Sequence, residues 1–353
     1  MITLRGVKAL VTGANGFVGG HVVRALLAEG AEVRGLVRAG GDRSNLDGLD
    51  VDLHEGDLAD DAAVRRAVAD RTHVFHCAAL YAFWARDPQV FYDTNVEGTR
   101  RVLRAAADAG VERIVYTSTH AAVHGTFDRG GRADESSEFN LWELGDHYIR
   151  AKRLAEQEVH ELAAAGVPVV TVNPSGPLGP GDYKPTPTGQ LLLEFLRGHL
   201  PGYTGGGINF VDVRDVAAGH LLAARKGRVG ERYLLTNRDL TLRDLLRLFA
   251  DVTGLPAPWL RIPYPASWLG AQVLQGWSNL VTKRPPLLTV PNIRATRRYF
   301  YFTNHKAVEE LGWTTRPLNA AVRDAVEYFL RRGLVQDRRR RRIEAFWAGS
   351  APP

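Results

Sequence analysis

The chain is poor in the residues that would support disulfide or metal-based function. Its 353 residues include a single cysteine, Cys77, so no disulfide can form within the chain. Cysteine and histidine nowhere show metal-ligand spacing, and we predict no metal site. No apolar run reaches about 18 residues, and the N-terminal segment lacks the pattern of a signal peptide. These absences favour a cytoplasmic protein with no membrane span.

The net charge of +6 is concentrated at one end of the chain. Residues 331–353 hold seven arginines and two acidic residues, so most of the positive charge is there. The consecutive arginines Arg338–Arg342 are compatible with nucleic acid or anionic lipid. A lone terminal charge run is more typical of a solvated, frayed end. We therefore interpret residues 331–353 as a basic tail and expect no nucleic-acid partner.

Short β-branched runs alternate with helical patterns over the first 175 residues. The predicted strands are Ala9–Thr12, Glu32–Val37, Val51–His54, His73–Cys77, Arg113–Thr117 and Val169–Val172. Short strands of this composition are typical of a sheet that is buried on both faces. The alternation predicts an α/β fold, a Rossmann-type doubly wound parallel sheet formed by residues 1–175.

The second half of the chain has a different character. Residues 174–210 are rich in proline and glycine, which predicts a long ordered loop containing one short helix at Leu191–Leu196. A strand at Tyr233–Thr236 and a helix from Thr241 follow, so elements around 208–240 are expected to return to the sheet. We assign residues 176–330 mainly to a smaller C-terminal, substrate-binding lobe.

A glycine motif directly follows the first predicted strand. Gly13, Gly16 and Gly19 are spaced three apart at the start of a helical pattern, and Asn15, Phe17 and Val18 belong to the same turn. Glycine permits the tight turn and lets the backbone approach a pyrophosphate, while the helix N-terminus offers free N–H groups. In this strand–turn–helix context the motif predicts a dinucleotide-binding site.

The residue after the second strand indicates which dinucleotide binds. Arg38 ends that strand, with Arg43 five residues later, where a carboxylate would be typical of NAD binding. An arginine can pair with the 2′-phosphate of NADP, so the sequence favours NADP while NAD remains compatible. Asp57 follows the third strand, where it either accepts a hydrogen bond from the adenine amino group or closes a turn.

Tyr148 and Lys152 form the predicted chemical centre. They are four residues apart at the head of a helical stretch, which places them on one face. A nearby ammonium is expected to lower the pKa of the phenol, so that it can exchange a proton with a carbonyl or alcohol oxygen. Thr119 follows the fifth strand, where ligands gather in open α/β sheets, and is the predicted partner for the substrate oxygen, with Ser118 as the alternative.

Together these residues resemble the extended short-chain dehydrogenase/reductases of the NAD-dependent epimerase/dehydratase family. The similarity extends over nearly the whole chain except the tail, and is closest to the dihydroflavonol-4-reductase-like branch. Within that branch the segments 185–189 and 219–223 resemble hopanoid-associated sugar epimerases. The resemblance implies a Ser/Thr–Tyr–Lys catalytic set and a homodimer through two Rossmann helices. It also implies further cofactor-binding residues, namely Leu58, Ala78, Ala79, Asn95, Pro174 and Ser175, together with Tyr148 and Lys152 of the catalytic set.

Three functions remain open at this point. The first is an oxidoreductase that transfers hydride between NADP(H) and a carbonyl or alcohol carbon. The second is a nucleotide-sugar epimerase or dehydratase that retains NAD, and the third is a non-catalytic dinucleotide sensor. Aromatic residues across 257–302 favour a hydrophobic substrate if they line a site, but aromatic residues are more often core. A sugar substrate is the alternative.

Overall fold

The structure, a computed structural model, describes residues 4–284, 286 and 288–349. The strands are β1 Lys8–Thr12, β2 Glu32–Val37, β3 Asp52–Glu55, β4 His73–His76, β5 Arg113–Thr117, β6 Val169–Pro174, β7 Gly176–Leu178, β8 Gly207–Asp212, β9 Arg232–Leu235, β10 Arg238–Thr241 and β11 Tyr299–Phe300. The helices are α1 Phe17–Ala28, α2 Asp61–Val68, α3 Gln89–Tyr92, α4 Gly98–Asp108, α5 His147–Ala164, α6 Pro187–Arg197, α7 Val213–Lys226, α8 Leu242–Thr253, α9 Tyr264–Trp277, α10 Val290–Ala295, α11 Leu318–Arg331 and α12 Asp337–Gly349.

The main sheet has seven strands in the order β3-β2-β1-β4-β5-β6-β9, and every neighbouring pair is parallel. Separate clusters of buried side chains cover its two faces. The predicted doubly wound α/β fold is therefore confirmed. The strand order reverses between β1 and β4, so a ligand crevice is expected where the carboxyl ends of these two strands separate.

A smaller four-stranded sheet lies beside the main one. β8 pairs with β10, β11 and β7, and only the β8–β10 pair is antiparallel. The prediction that residues 174–210 form a long loop is wrong, because β7, an eleven-residue α6 and the start of β8 lie within them. Their prolines and glycines stand largely at element ends, as at the N-terminus and C-cap of α6.

The described part of the basic tail is folded. Residues 337–349 form α12, in which Ile343 is fully buried and the indole of Trp347 donates to the carbonyl oxygen of Val252 at 2.7 Å. The expectation of a frayed end is therefore wrong for this helix. Ile343 and Trp347 are four residues apart and anchor α12 against α8. The neighbouring arginine run obscured this apolar pair in the sequence. Among the described residues, no helix is long and apolar enough to cross a membrane.

Candidate active site

The glycine turn between β1 and α1 forms a close-packed cradle. Gly13 has φ of +65°, in the left-handed region that glycine adopts readily. A Cβ atom on Gly19 would lie 2.2 Å from the carbonyl oxygen of Gly13, so only glycine fits there. α1 begins after Gly16 with no side-chain cap and no acidic residue in its first turn. The first N–H groups of the helix, those of Phe17 and Val18, lack intrahelical partners, and the turn fits the pyrophosphate of a dinucleotide.

The residues expected at the adenosine end lie beside this cradle. The Asn15 side chain donates to the backbone carbonyl oxygen of Asp42 at 2.8 Å, which fastens the segment after β2 to the cradle. Arg43 is paired with the carboxylate of Glu55. Arg38 is exposed, and none of the described residues holds its guanidinium in a side-chain hydrogen bond or ion pair. Arg38 is therefore the arginine that is available to an additional phosphate.

Asp57 and Leu58 follow β3 at the same edge of the sheet. The Asp57 carboxylate accepts a hydrogen bond from the N–H of Ala59 at 2.9 Å, which is the turn alternative, although the side chain remains exposed to a ligand. Leu58 is buried and packs against Gly98, where an added Cβ would lie 3.0 Å from a Leu58 methyl carbon. Leu58 therefore forms part of the wall of the crevice and makes no polar contact with a ligand.

The segment after β4 forms the opposite wall of the crevice. The N–H of Ala78 donates to the Thr12 hydroxyl at 3.1 Å, and a Cβ on the first cradle glycine would lie 2.8 Å from the Cα of Ala78. Ala79 is exposed. Asn95 clamps this segment, because its side chain accepts from the N–H of Leu80 at 2.8 Å and donates to the Leu80 carbonyl oxygen at 3.1 Å. Asn95 therefore shapes the crevice through the backbone.

Tyr148 lies in the first turn of α5 and faces Thr119. Asp146 caps the helix by accepting from the N–H of Ile149 at 3.0 Å, which fixes where α5 begins. The Thr119 hydroxyl lies close enough to the Tyr148 phenol to influence its pKa, and the Tyr148 ring lies 4.8 Å from that of Tyr81. Burial raises the pKa of Tyr148 well above its ordinary value, and the Thr119 hydroxyl opposes this. The phenol is therefore protonated at neutral pH.

Lys152 lies one turn beyond Tyr148, fully buried. Its ammonium donates to the carbonyl oxygen of Thr117 at 2.6 Å and lies 4.6 Å from the centre of the Tyr116 ring. Burial lowers the pKa of Lys152 to about 7, while the charge of Glu156 opposes this. The expectation that the lysine lowers the Tyr148 pKa is not met in the chain itself, because loss of solvation dominates at both groups.

Glu156 extends the same helix face by one more turn and is not among the residues predicted from the sequence. Its carboxylate is fully buried and accepts hydrogen bonds from Ser118 and, at 2.9 Å, from the Asn173 side chain. The other carboxylate oxygen lies 3.2 Å from a guanidinium nitrogen of Arg232. This network turns Ser118 away from Tyr148, so the structure brings Thr119, and not Ser118, to the phenol. The four-residue spacing from Lys152 was the available signal.

Pro174 and Ser175 end β6 beside these groups. The carbonyl oxygen of Pro174 lies 3.2 Å from Nδ1 of His120, which ties this strand end to the residue after Thr119. The Ser175 hydroxyl is buried and lacks a hydrogen-bond partner among the described residues. A buried unpartnered hydroxyl at this edge fits a site that receives a polar group from a bound molecule.

A cavity of about 350 Å³ opens next to Tyr148. Aromatic side chains from the segment after β4, Phe83 and Trp84, form one wall, and Asn279 and Lys283 from the segment after α9 form another. The indole of Trp84 donates to the Asn279 side chain at 3.0 Å and joins the two walls. Phe83 and Trp84 are not among the residues predicted from the sequence, although three of the four residues 81–84 are aromatic.

Comparison with a family model gives a match over residues 9–236 to the NAD dependent epimerase/dehydratase family. The chain is 41% identical over 336 residues to a putative dihydroflavonol 4-reductase of Synechocystis, which covers 92% of this chain and 95% of that protein. It is 36% identical over 328 residues to sterol demethylase protein B of Methylococcus capsulatus, with 92% and 99% covered. The resemblance to this family and to the dihydroflavonol 4-reductase branch is confirmed.

Solved structures agree with these sequence relatives. The UDP-glucose 4-epimerase of Thermus thermophilus, in complex with NAD, superposes with a TM-score of 0.72 at 25% identity. The match covers 92% of this chain and 99% of that one. The crevice described above thus occurs in a fold that holds a nicotinamide dinucleotide in a related protein.

Proposed function

The chain belongs to the NAD dependent epimerase/dehydratase family and is an NAD(P)-dependent oxidoreductase of that family, and from this premise we propose that it reduces a carbonyl group with NADPH. The observation that carries the proposal is the position of the Tyr148 phenol, which lies beside the Thr119 hydroxyl in the wall of a cavity of about 350 Å³. Because its pKa is raised, the phenol carries its proton at neutral pH, which is the state that a general acid requires.

The proposed roles follow from the positions of the side chains. Bound NADPH supplies a hydride to the carbonyl carbon of the substrate. The Thr119 hydroxyl orients the carbonyl oxygen, and Tyr148 gives that oxygen its proton, so that an alcohol results. Lys152, with a pKa of about 7, can replace the proton on the phenol after each turnover. The cradle residues would hold the pyrophosphate, Ala78 and Ala79 would line the cofactor groove, and Pro174 and Ser175 would lie beside the nicotinamide.

The preference for NADP is supported by the two arginines after β2. Arg38 is free to pair with a 2′-phosphate, whereas Arg43 already has a carboxylate partner. Replacing Arg38 by alanine is expected to weaken NADPH binding by about tenfold or more and to leave NADH binding nearly unchanged. Arg43→Ala is the matched control and should not change the ratio of the two affinities. Equal losses for both cofactors in Arg38→Ala would contradict the assignment.

An epimerase that retains NAD is the second candidate, because a UDP-glucose 4-epimerase is among the structural relatives. Denaturing the purified protein and identifying any released nucleotide by mass separates the two. Stoichiometric NAD would favour the epimerase, with a sugar substrate. An empty protein that binds NADPH more tightly than NADH would favour the reductase, with a hydrophobic carbonyl substrate.

Catalysis itself is tested at Tyr148. In Tyr148→Phe, turnover should fall to background while the affinity for the dinucleotide changes little, because the hydroxyl contacts Thr119 and the cavity. Unchanged turnover would contradict the proposed acid.

We also propose a cytoplasmic homodimer that forms through two helices of the Rossmann domain. Sedimentation of the purified protein measures its mass, and a monomer would contradict this part.

A further inference from the structure

α9 packs on the rest of the chain through only a narrow face. Ser267 and Ala271 are its buried residues. On the opposite side Leu269, Val273 and Trp277 recur at four-residue spacing, with 61%, 64% and 59% of each residue exposed. A helix at the surface of a globular protein normally directs polar side chains outward. α9 therefore has an inverted pattern that leaves an apolar row facing solvent.

The apolar row continues beyond the helix. Leu280 and Val281 extend it by one turn and are also more than half exposed. We call the five side chains Leu269, Val273, Trp277, Leu280 and Val281 the α9 face. Trp259, which is 86% exposed, lies in the segment just before the helix. Contiguous exposed apolar side chains of this extent mark a surface that binds another protein or a membrane.

The charged residues in the segment of the chain that contains α9 have one sign. Residues 252–308 contain seven lysines and arginines and no aspartate or glutamate. Arg261 precedes α9, Lys283 and Arg284 follow it, and all three are exposed. Arg297 is exposed as well, and its guanidinium lies 5.3 Å from the centre of the Tyr264 ring at the start of α9. A partner that complements this surface therefore offers an apolar region that can take up these side chains, together with negative charge.

A second copy of the chain fits this surface poorly. Two copies that met through the α9 face about a two-fold axis would bring the same basic residues together without nearby carboxylates from 252–308. An anionic lipid surface meets both requirements, because lysine and arginine attract its headgroups while tryptophan and aliphatic side chains enter the headgroup–acyl boundary. The helix has 14 residues, too few to cross a bilayer, so it would lie in the plane of the interface.

The position of the cavity fits the same arrangement. Gln275, Asn279 and Lys283 belong to α9 and the turn after it, and they line the cavity that contains Tyr148. The cavity wall and the α9 face are thus two sides of one segment. A molecule dissolved in the lipid layer would reach the cavity without passing through bulk water.

We propose that this protein docks on anionic membrane surfaces through the α9 face. The proposal concerns binding alone and does not depend on which reaction the active site catalyses. It is tested by flotation of the full-length protein with vesicles of phosphatidylcholine mixed with phosphatidylglycerol, and with vesicles of phosphatidylcholine alone. We expect the protein to float with the mixed vesicles and to remain mostly unbound with the neutral ones.

Two variants locate the contact. Leu269→Ser, Val273→Ser and Trp277→Ser combined should reduce partitioning onto mixed vesicles by about tenfold or more, since three apolar side chains no longer leave water. The matched control combines Val229→Ser and Val308→Ser, which are similarly exposed but lie outside the α9 face. This control should bind vesicles like the wild type. Circular dichroism checks that each variant is folded.

The charge component is tested with Arg261→Glu and Arg284→Glu combined, which should abolish the preference for anionic vesicles. Failure of the wild type to float, or equal flotation of the triple-serine variant, would overturn the proposal. So would a wild-type oligomer that the triple-serine variant dissociates in the absence of vesicle binding, because the face would then join copies of the chain. Binding to an acidic protein with no binding to vesicles would overturn it as well.

Discussion

Replacing Lys152 by methionine tests whether the buried ammonium is needed for turnover and lowers the free energy of unfolding. Burial lowers the pKa of Lys152 from 10.5 to about 7. The folded chain therefore binds fewer protons at this group than the unfolded chain between these values. The destabilising contribution of the lysine has its full size below about pH 7 and decreases as the pH rises toward the unfolded pKa. Methionine has similar length and carries no charge.

The pKa shift corresponds to about 4 kcal/mol of destabilisation at neutral pH. Lys152→Met removes this penalty, but it leaves the carbonyl oxygen of Thr117 without its donor, which costs about 1–3 kcal/mol. We expect the free energy of unfolding to rise by about 1–3 kcal/mol near pH 7. Near pH 10 the wild-type penalty falls to about 1 kcal/mol, so the variant should no longer be the more stable protein.

Urea denaturation followed by circular dichroism at several pH values measures this difference, and an NADPH oxidation assay measures turnover. Turnover should fall by about 100-fold or more, since Tyr148 loses the group that restores its proton. Lys8→Met, at an exposed lysine, controls for the loss of one lysine. A variant that is less stable than the wild type by the same amount at every pH would refute the reasoning.

Three further changes test the cradle, the buried network and the tail. Gly19→Ala should weaken dinucleotide binding by about tenfold or more in a fluorescence titration, because its Cβ would meet a backbone oxygen at 2.2 Å. Gly270→Ala, in open space, is the control, and equal affinities would contradict the cradle. Glu156→Gln should lower the free energy of unfolding by about 3–5 kcal/mol, because it breaks the buried pair with Arg232. A loss below about 1 kcal/mol would show that the pair contributes little. Ile343→Ala should cost about 2–5 kcal/mol in urea denaturation, and an unchanged stability would contradict the docking of α12.

Local patterns were sufficient for the main sheet and the glycine cradle. Buried parallel strands are short and apolar, so each of the six predicted strands can be recognised from its own residues, and all six occur with ends shifted by at most two residues. The positions of Tyr148 and Lys152 on one face follow from helix geometry alone. The turn after β1 is defined by three glycines within seven residues, so it can be recognised from its own residues.

Patterns that depend on distant partners were harder to interpret. The arginine run at 338–342 has the composition of a solvated end, but Ile343 finds a hydrophobic surface on the smaller lobe. The aromatic residues of 257–302 were ambiguous for the same reason: Phe300 is buried in the core, whereas Trp259 and Trp277 are largely exposed. Composition does not distinguish these cases, because exposure depends on which elements pack nearby.

The sequence by itself determined the fold class, the cradle and the Tyr148–Lys152 pair, because each depends on residues that are close together along the chain. Only the tertiary structure decided that Thr119 rather than Ser118 faces the phenol, since Glu156 on another element takes the serine hydroxyl. It also decided the pKa direction of Tyr148, which burial controls and sequence spacing does not. The exposure of the α9 face was likewise decided by the tertiary structure, because no other element among the described residues covers α9 on that side.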